Sequence, residues 1–168
     1  NGVFRVEVEG GRVLHADHWT WDEASYDAWL QMQMKWFIDA CSPLPPGIAA
    51  NVALTENMFM MIVCIVCTIP LIVVGNPGTS KTLAMTIICE KLNPYTKAPI
   101  FDVLGLPSIL PFSYQCSRHS TADEILRRFV DAKKAQDKAN AGVGTGANIL
   151  NTVVFLDEVG LAEESPHM

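Results

Sequence analysis

At 168 residues the chain has the size of one domain, and its 49% hydrophobic against 18% charged content excludes a disordered segment. A net charge of −6 excludes a broad basic face for nucleic acid or an anionic membrane. Five cysteines (Cys41, Cys64, Cys67, Cys89, Cys116) are too few and too irregularly spaced for a disulfide framework, and with no signal peptide they fit a reducing, cytoplasmic compartment.

The chain opens with alternation, Val3 to Glu9, then Gly10-Gly11, then Arg12 to His15, which predicts a hairpin. From Trp19 to about Ala40 the pattern is helical, with Thr20 and Glu23 at capping-box spacing and Tyr26, Trp29, Leu30, Trp36 and Phe37 as its apolar stripe. His15 and His18 have the spacing of a ligand pair but lack a third ligand, so a loop or surface pair is expected. Ser42-Pro43-Leu44-Pro45-Pro46-Gly47 reads as a linker. Residues 1–43 are therefore expected to form a small α/β piece, a linker or the end of a preceding module, and residues 44–168 the principal unit.

Asn51 to Thr68 predicts a second long helix, followed by the apolar run Ile69 to Val74. Together they form an uncharged stretch long enough to suggest a membrane span. Pro70 interrupts it and its second half is rich in β-branched residues, which favours a buried helix followed by a central parallel strand, apolar on both faces. Cys64 and Cys67 form a C-x-x-C pair inside this stretch. No second pair follows, so both are expected in the core and not on a metal.

The strand feeds Gly75-Asn76-Pro77-Gly78-Thr79-Ser80-Lys81-Thr82, and Leu83 to Glu90 predicts a helix after it. Strand, glycine-rich turn and helix in that order are the context in which a phosphate-binding loop works. Backbone N–H groups of the turn and first helical turn, Gly75 through Leu83, converge on one spot favoured by the helix dipole. Lys81 is placed to reach the outer phosphates of ATP, and the Thr82 hydroxyl to hold Mg2+. The irregularity is Ser80, where the pattern has glycine. Serine is expected to fit if its backbone angles are ordinary.

Asn93-Pro94 stops that helix, and residues 95–113, with Pro99, Pro107 and Pro111, read as irregular. Phe112 to Cys116 is a short strand candidate. Thr121 and Glu124 form a capping box for a helix running to about Ala139, whose Arg127-Arg128 and Lys133-Lys134 read as a solvated face. Residues 140–147 read as a flexible turn.

A last strand, Val153 to Leu156, delivers Asp157-Glu158 at its carboxyl end. This is the Walker B pattern, an acidic pair brought beside the phosphate loop by a parallel core strand. Asp157 is suited to Mg2+, and Glu158 to polarising an attacking water. Asp157-Glu158-Val159-Gly160 also fits the D-x-x-G element of GTPases. The second carboxylate, the long interval from Lys81 and the lack of an N-K-x-D element count against that.

Three segments make the match narrower than P-loop ATPase. The loop with its Ser80-Lys81, the stretch Gln115 to Asp123, and Leu156-Asp157-Glu158-Val159-Gly160-Leu161-Ala162-Glu163-Glu164-Ser165-Pro166 resemble the mysterin family, giant proteins that join dynein-like AAA+ modules to a RING-type ubiquitin ligase region. Pro46-Gly47-Ile48-Ala49 and the Asn51 to Ile69 helix resemble the segment before such a module's loop. The resemblance covers about residues 44–168. It implies that Ser80 is a family habit, and that the chain is one module of a multi-module ring, with neighbouring AAA+ modules, protein substrates and ubiquitination machinery as partners. It also implies that sensor, arginine-finger and lid residues lie beyond Met168, in a chain cut just after Walker B. Clustered RING ligands are missing here, so ligase activity is expected elsewhere.

The expected fold is thus α/β: a three-layer P-loop core with a parallel sheet, of AAA+ type. The expected function is ATP binding and hydrolysis, with Lys81 and Glu158 catalytic and Thr82 and Asp157 on Mg2+. A module that binds ATP and sets ring shape without turnover is the alternative.

Overall fold

The computed structural model describes residues 5–8, 12–15, 22–76, 78–141 and 150–162. Strands β1 (Arg5–Val8) and β2 (Arg12–His15) pair antiparallel, Val8 opposite Arg12, as the alternation predicts. Then follow α1 (Glu23–Ala40), α2 (Val52–Cys67), α3 (Lys81–Lys91), α4 (Pro99–Val103), β3 (Ser108–Gln115), α5 (Ala122–Ala139) and β4 (Leu150–Asp157), with a 3-10 turn at Val159–Leu161.

One core joins the first four helices to the sheet. Phe37, Ile38 and Cys41 from α1 and its cap pack with Leu54, Met58, Met61 and Ile62 of α2, Ala84, Ile87 and Ile88 of α3, Phe101 of α4 and Ile109 of β3. On α2 the buried residues follow the helical repeat and so present one face. Burial pushes the thiols of Cys41 and Cys89 up to about 11, against which the Lys91 charge beside Cys41 works only weakly.

Several elements differ from their sequence reading. Helix α1 is capped by Asp22, whose side chain accepts from the Ser25 N–H, so Glu23 is the first helical residue and not the third of a capping box. Thr20 and His18 lie outside the described residues. Tyr26 and Trp36 are exposed, and the buried face of α1 is Met34, Phe37 and Ile38. Cys67 is exposed and Cys64 half-buried, because they sit in the last turn of α2, past the packed stripe. Pro99 starts a short helix inside a stretch that reads as irregular, since proline is preorganised for the first helical turn.

Strand β3 begins at Ser108, four residues before the expected strand, and includes Pro111. It pairs only with β4 among the described residues, so the missing N–H breaks no second ladder. The β3–β4 ladder is parallel, Ser108 opposite Leu150 through Gln115 opposite Asp157. The run 69–74 belongs to no described ladder: Ile72 and Val74 are 83% and 89% exposed, and only Val73 packs against the core. A continuously apolar run forms a strand only where a neighbour takes up its backbone groups. Among the described residues, no helix is long and apolar enough to cross a membrane.

Candidate functional site

The glycine loop is held mainly by its own lysine. The Lys81 Nζ donates to the carbonyls of Gly75 and Asn76, each at 2.8 Å, and to the Thr79 hydroxyl at 3.1 Å. The Thr79 hydroxyl in turn donates to the Asn76 carbonyl at 2.9 Å. These bonds draw Gly75 close: a Cβ there would meet the Thr79 Oγ1 at 3.1 Å and the Lys81 Nζ at 3.7 Å. Gly78 has open space around it but φ of +82°, so its need for glycine is conformational. Pro77 lies outside the described residues.

Ser80 is the cap of α3, with φ +58° and ψ +18° and no side-chain capping bond. Its backbone is therefore left-handed, and the condition of ordinary angles under which serine was expected to fit is not met. The turn from loop into helix demands the conformation that glycine adopts freely, and serine takes it up at a cost of about 1–3 kcal/mol. Helix α3 starts at once with Lys81, Thr82 and Leu83. Leu83 packs half-buried against the core, while Thr82 stays exposed.

The acidic pair sits at the carboxyl ends of β3 and β4. The Thr82 hydroxyl donates to Asp157 Oδ2 at 3.2 Å, joining residues 75 apart in the chain. The ladder runs past its formal end, with the Cys116 N–H on the Asp157 carbonyl at 2.8 Å. Glu158 is left-handed, φ +53°, and its N–H bonds Asp157 Oδ1 at 3.0 Å. Gln115, the register partner of Asp157, donates from its amide to Glu158 Oε2 at 3.2 Å. Beside this pair is an open cavity of about 500 Å3, reached by Arg118 and His119. Burial, and then the Asp157 charge, push the Cys116 thiol upward.

Thus Thr82 and Asp157 meet, Lys81 is turned into the glycine loop, and Glu158, next to Asp157 in the chain, is turned toward Gln115. A threonine hydroxyl beside a carboxylate is a hard-oxygen donor pair of the kind Mg2+ takes. No group of three or more His, Cys, Asp or Glu among the described residues forms a metal cluster.

A family model described as the RNF213 AAA domain matches residues 47–168. The chain belongs to the RNF213 AAA domain family. It is 43% identical over 133 residues, 79% of its length, to the human E3 ubiquitin-protein ligase RNF213. To the mouse protein of the same name it is 40% identical over 76% of its length, and to E3 ubiquitin-protein ligase rnf213-beta of Danio rerio 41% over 72%. In each case it spans 2% of the relative's length. This bears out the resemblance carried by the loop and by the Asp157-Glu158 segment, and makes the chain an α/β AAA+ module. The residues Glu163 to Pro166 of that segment lie outside the described ones.

Two contacts in this RNF213-type module were not read from the sequence. Gln115 stands at a strand end, where its partner is set by register. Asn57 of α2 donates from its side chain to the Thr79 carbonyl at 2.8 Å. Its only sequence signal is an amide at the head of a long apolar run.

Proposed function

We propose that this module binds ATP with Mg2+ at Gly75–Leu83 and hydrolyses it, as one unit of a multi-module ring in a cytoplasmic ubiquitin ligase. Residues 44–168 form the N-terminal part of a three-layer AAA+ core. Residues 1–43 enter as a linker or the end of a preceding module, with Phe37, Ile38 and Cys41 docked into the same core. The observation that carries the reading is the 3.2 Å contact of Thr82 with Asp157, which unites the two motifs.

The backbone N–H groups of Gly75, Asn76, Gly78, Thr79 and Ser80 and of the first turn of α3 cradle the phosphates. Lys81 exchanges its loop carbonyls for the outer phosphate oxygens, a charge-assisted gain. Thr82 and Asp157 hold Mg2+, which when bound neutralises charge on the phosphates. Glu158 orients and polarises the attacking water. A neighbouring module supplies the arginine that stabilises the transition state, a contribution of order 10³-fold in rate. Protein substrates and the ubiquitination machinery engage the assembled protein, the ligase centre lying outside this chain.

One observation favours the alternative of a nucleotide-bound switch without turnover. The Gln115 amide holds Glu158 Oε2, one of the two carboxylate oxygens, and turns the group toward the end of β3. In the full-length protein Glu158→Gln decides: hydrolysis predicts loss of this module's ATPase activity with ATP retained, and the switch predicts no change.

Binding itself is tested by calorimetry with Mg2+, comparing ATP with GTP on this chain and on Lys81→Ala. The expected result is ATP-selective binding, weakened at least about tenfold by the substitution, since a charge-assisted bond of some 1.5–3 kcal/mol is lost. Preference for GTP, or equal binding by the variant, overturns the reading.

A further inference from the structure

Helix α2 ends 13 residues before Ser80 in sequence, yet it reaches back to the loop. Leu54, Met58, Met61 and Ile62 form its buried stripe, and Asn57 lies at the edge of that stripe, half-buried. Its amide finds the Thr79 carbonyl at 2.8 Å, a contact across 22 residues.

That carbonyl belongs to the peptide joining Thr79 to Ser80. The peptide is planar and trans, so a carbonyl pulled toward α2 sends the Ser80 N–H the opposite way, away from the helix. The same plane is the reference about which the Ser80 φ is measured. Holding its carbonyl therefore holds Ser80 in the left-handed conformation it would otherwise leave. Glycine at this position would need no such restraint. Lys81 bonds the carbonyls of Gly75 and Asn76 and the Thr79 hydroxyl, and that hydroxyl bonds the Asn76 carbonyl, so neither takes the Thr79 carbonyl.

We propose that Asn57 is a positioning residue of the phosphate loop: its side chain clamps the Thr79–Ser80 peptide and so compensates for serine in the place of glycine. The consequence for nucleotide rests on the phosphate-loop reading above. The clamp itself does not.

The test is a double-mutant cycle on the whole chain, with Asn57→Asp, Ser80→Gly and the pair. Aspartate keeps the shape of asparagine and loses the donor. Asn57→Ala serves as the second variant, free of the added charge. Two readouts are taken: amide shifts and exchange of Thr79, Ser80 and Lys81 by NMR without nucleotide, and affinity for Mg2+ with a slowly hydrolysed ATP analogue. In the serine background, Asn57→Asp and Asn57→Ala are expected to move those three amides and to weaken binding roughly tenfold, the scale of one half-buried hydrogen bond. With Ser80→Gly the same substitutions are expected to cost less than about twofold, because glycine holds the turn unaided. Equal losses in both backgrounds overturn the compensation. Unmoved amides overturn the clamp, whatever the affinity. If the parent chain binds no nucleotide, the functional reading fails, and the amide data alone decide for or against the clamp.

Discussion

Helix α3 carries Lys81 and Thr82 on a base of Ala84, Ile87 and Ile88, none more than 1% exposed, whereas all eight residues of β4, Asp157 included, are half-buried. The loop half is fastened by apolar packing. The acidic half meets the same core at Ile109 and Val153 and is fastened further by hydrogen bonds: Gln136 accepts from the Thr152 N–H at 2.8 Å, Asn140 grips both backbone groups of Leu150, and the Cys116 N–H donates to the Asp157 carbonyl. Helix α5 buries only Ala132 and leaves Leu126, Phe129 and Val130 exposed. The Thr82–Asp157 hydrogen bond joins the start of α3 to the end of β4. The difference teaches that the loop side rests mainly on apolar burial, while the acidic side depends more on polar contacts, each worth about 1 kcal/mol net.

The comparison breaks if the core does not dominate. Leu54→Ala, at a fully buried site, should cost about 2–5 kcal/mol in urea unfolding. Val154→Ala on half-buried β4 should cost less than half of that, roughly 1 kcal/mol, because less surface is returned to water. Equal penalties would place β4 in the same packed unit as α2 and α3.

A smaller effect sharpens the picture at the start of α5. The Glu124 carboxyl accepts from the Thr121 N–H at 3.0 Å and from the Tyr114 hydroxyl at 3.2 Å, and these bonds, the Thr121 one first, hold its pKa below the ordinary 4.5. A folded-state value below the unfolded one contributes stability above pH 4.5, lost as pH falls through the lower folded value. Circular dichroism across that acid range should show a small loss in the parent chain, and Glu124→Gln should flatten it. An unchanged acid slope in the variant would assign the loss to other carboxylates.

Where the controlling interaction is local, the sequence is readable. The Thr121–Glu124 capping box stands as its spacing predicts, with both reciprocal bonds formed. Asn51 caps α2 and Thr68 ends it in the left-handed conformation, matching the predicted span. The hairpin of β1 and β2 follows from alternation around two glycines. The Thr20–Glu23 spacing puts the cap of α1 two residues before Asp22, because Thr20 and Asp22 are both residue types that cap a helix. Strand β3 was shortened because Pro111 argues against a central strand, and the argument loses its force where only one side is paired.

The sequence by itself determined the family and the order of glycine loop and acidic strand, because these are properties of neighbours along the chain. Tertiary structure alone decided that Ser80 is left-handed, that Asn57 holds the peptide before it, that Gln115 meets Glu158, and that residues 69–74 stand outside the described ladder. Each of those depends on where a distant backbone carbonyl, amide or strand edge comes to lie, and hydrogen bonds of about 3 Å are satisfied or lost by shifts smaller than any sequence pattern encodes.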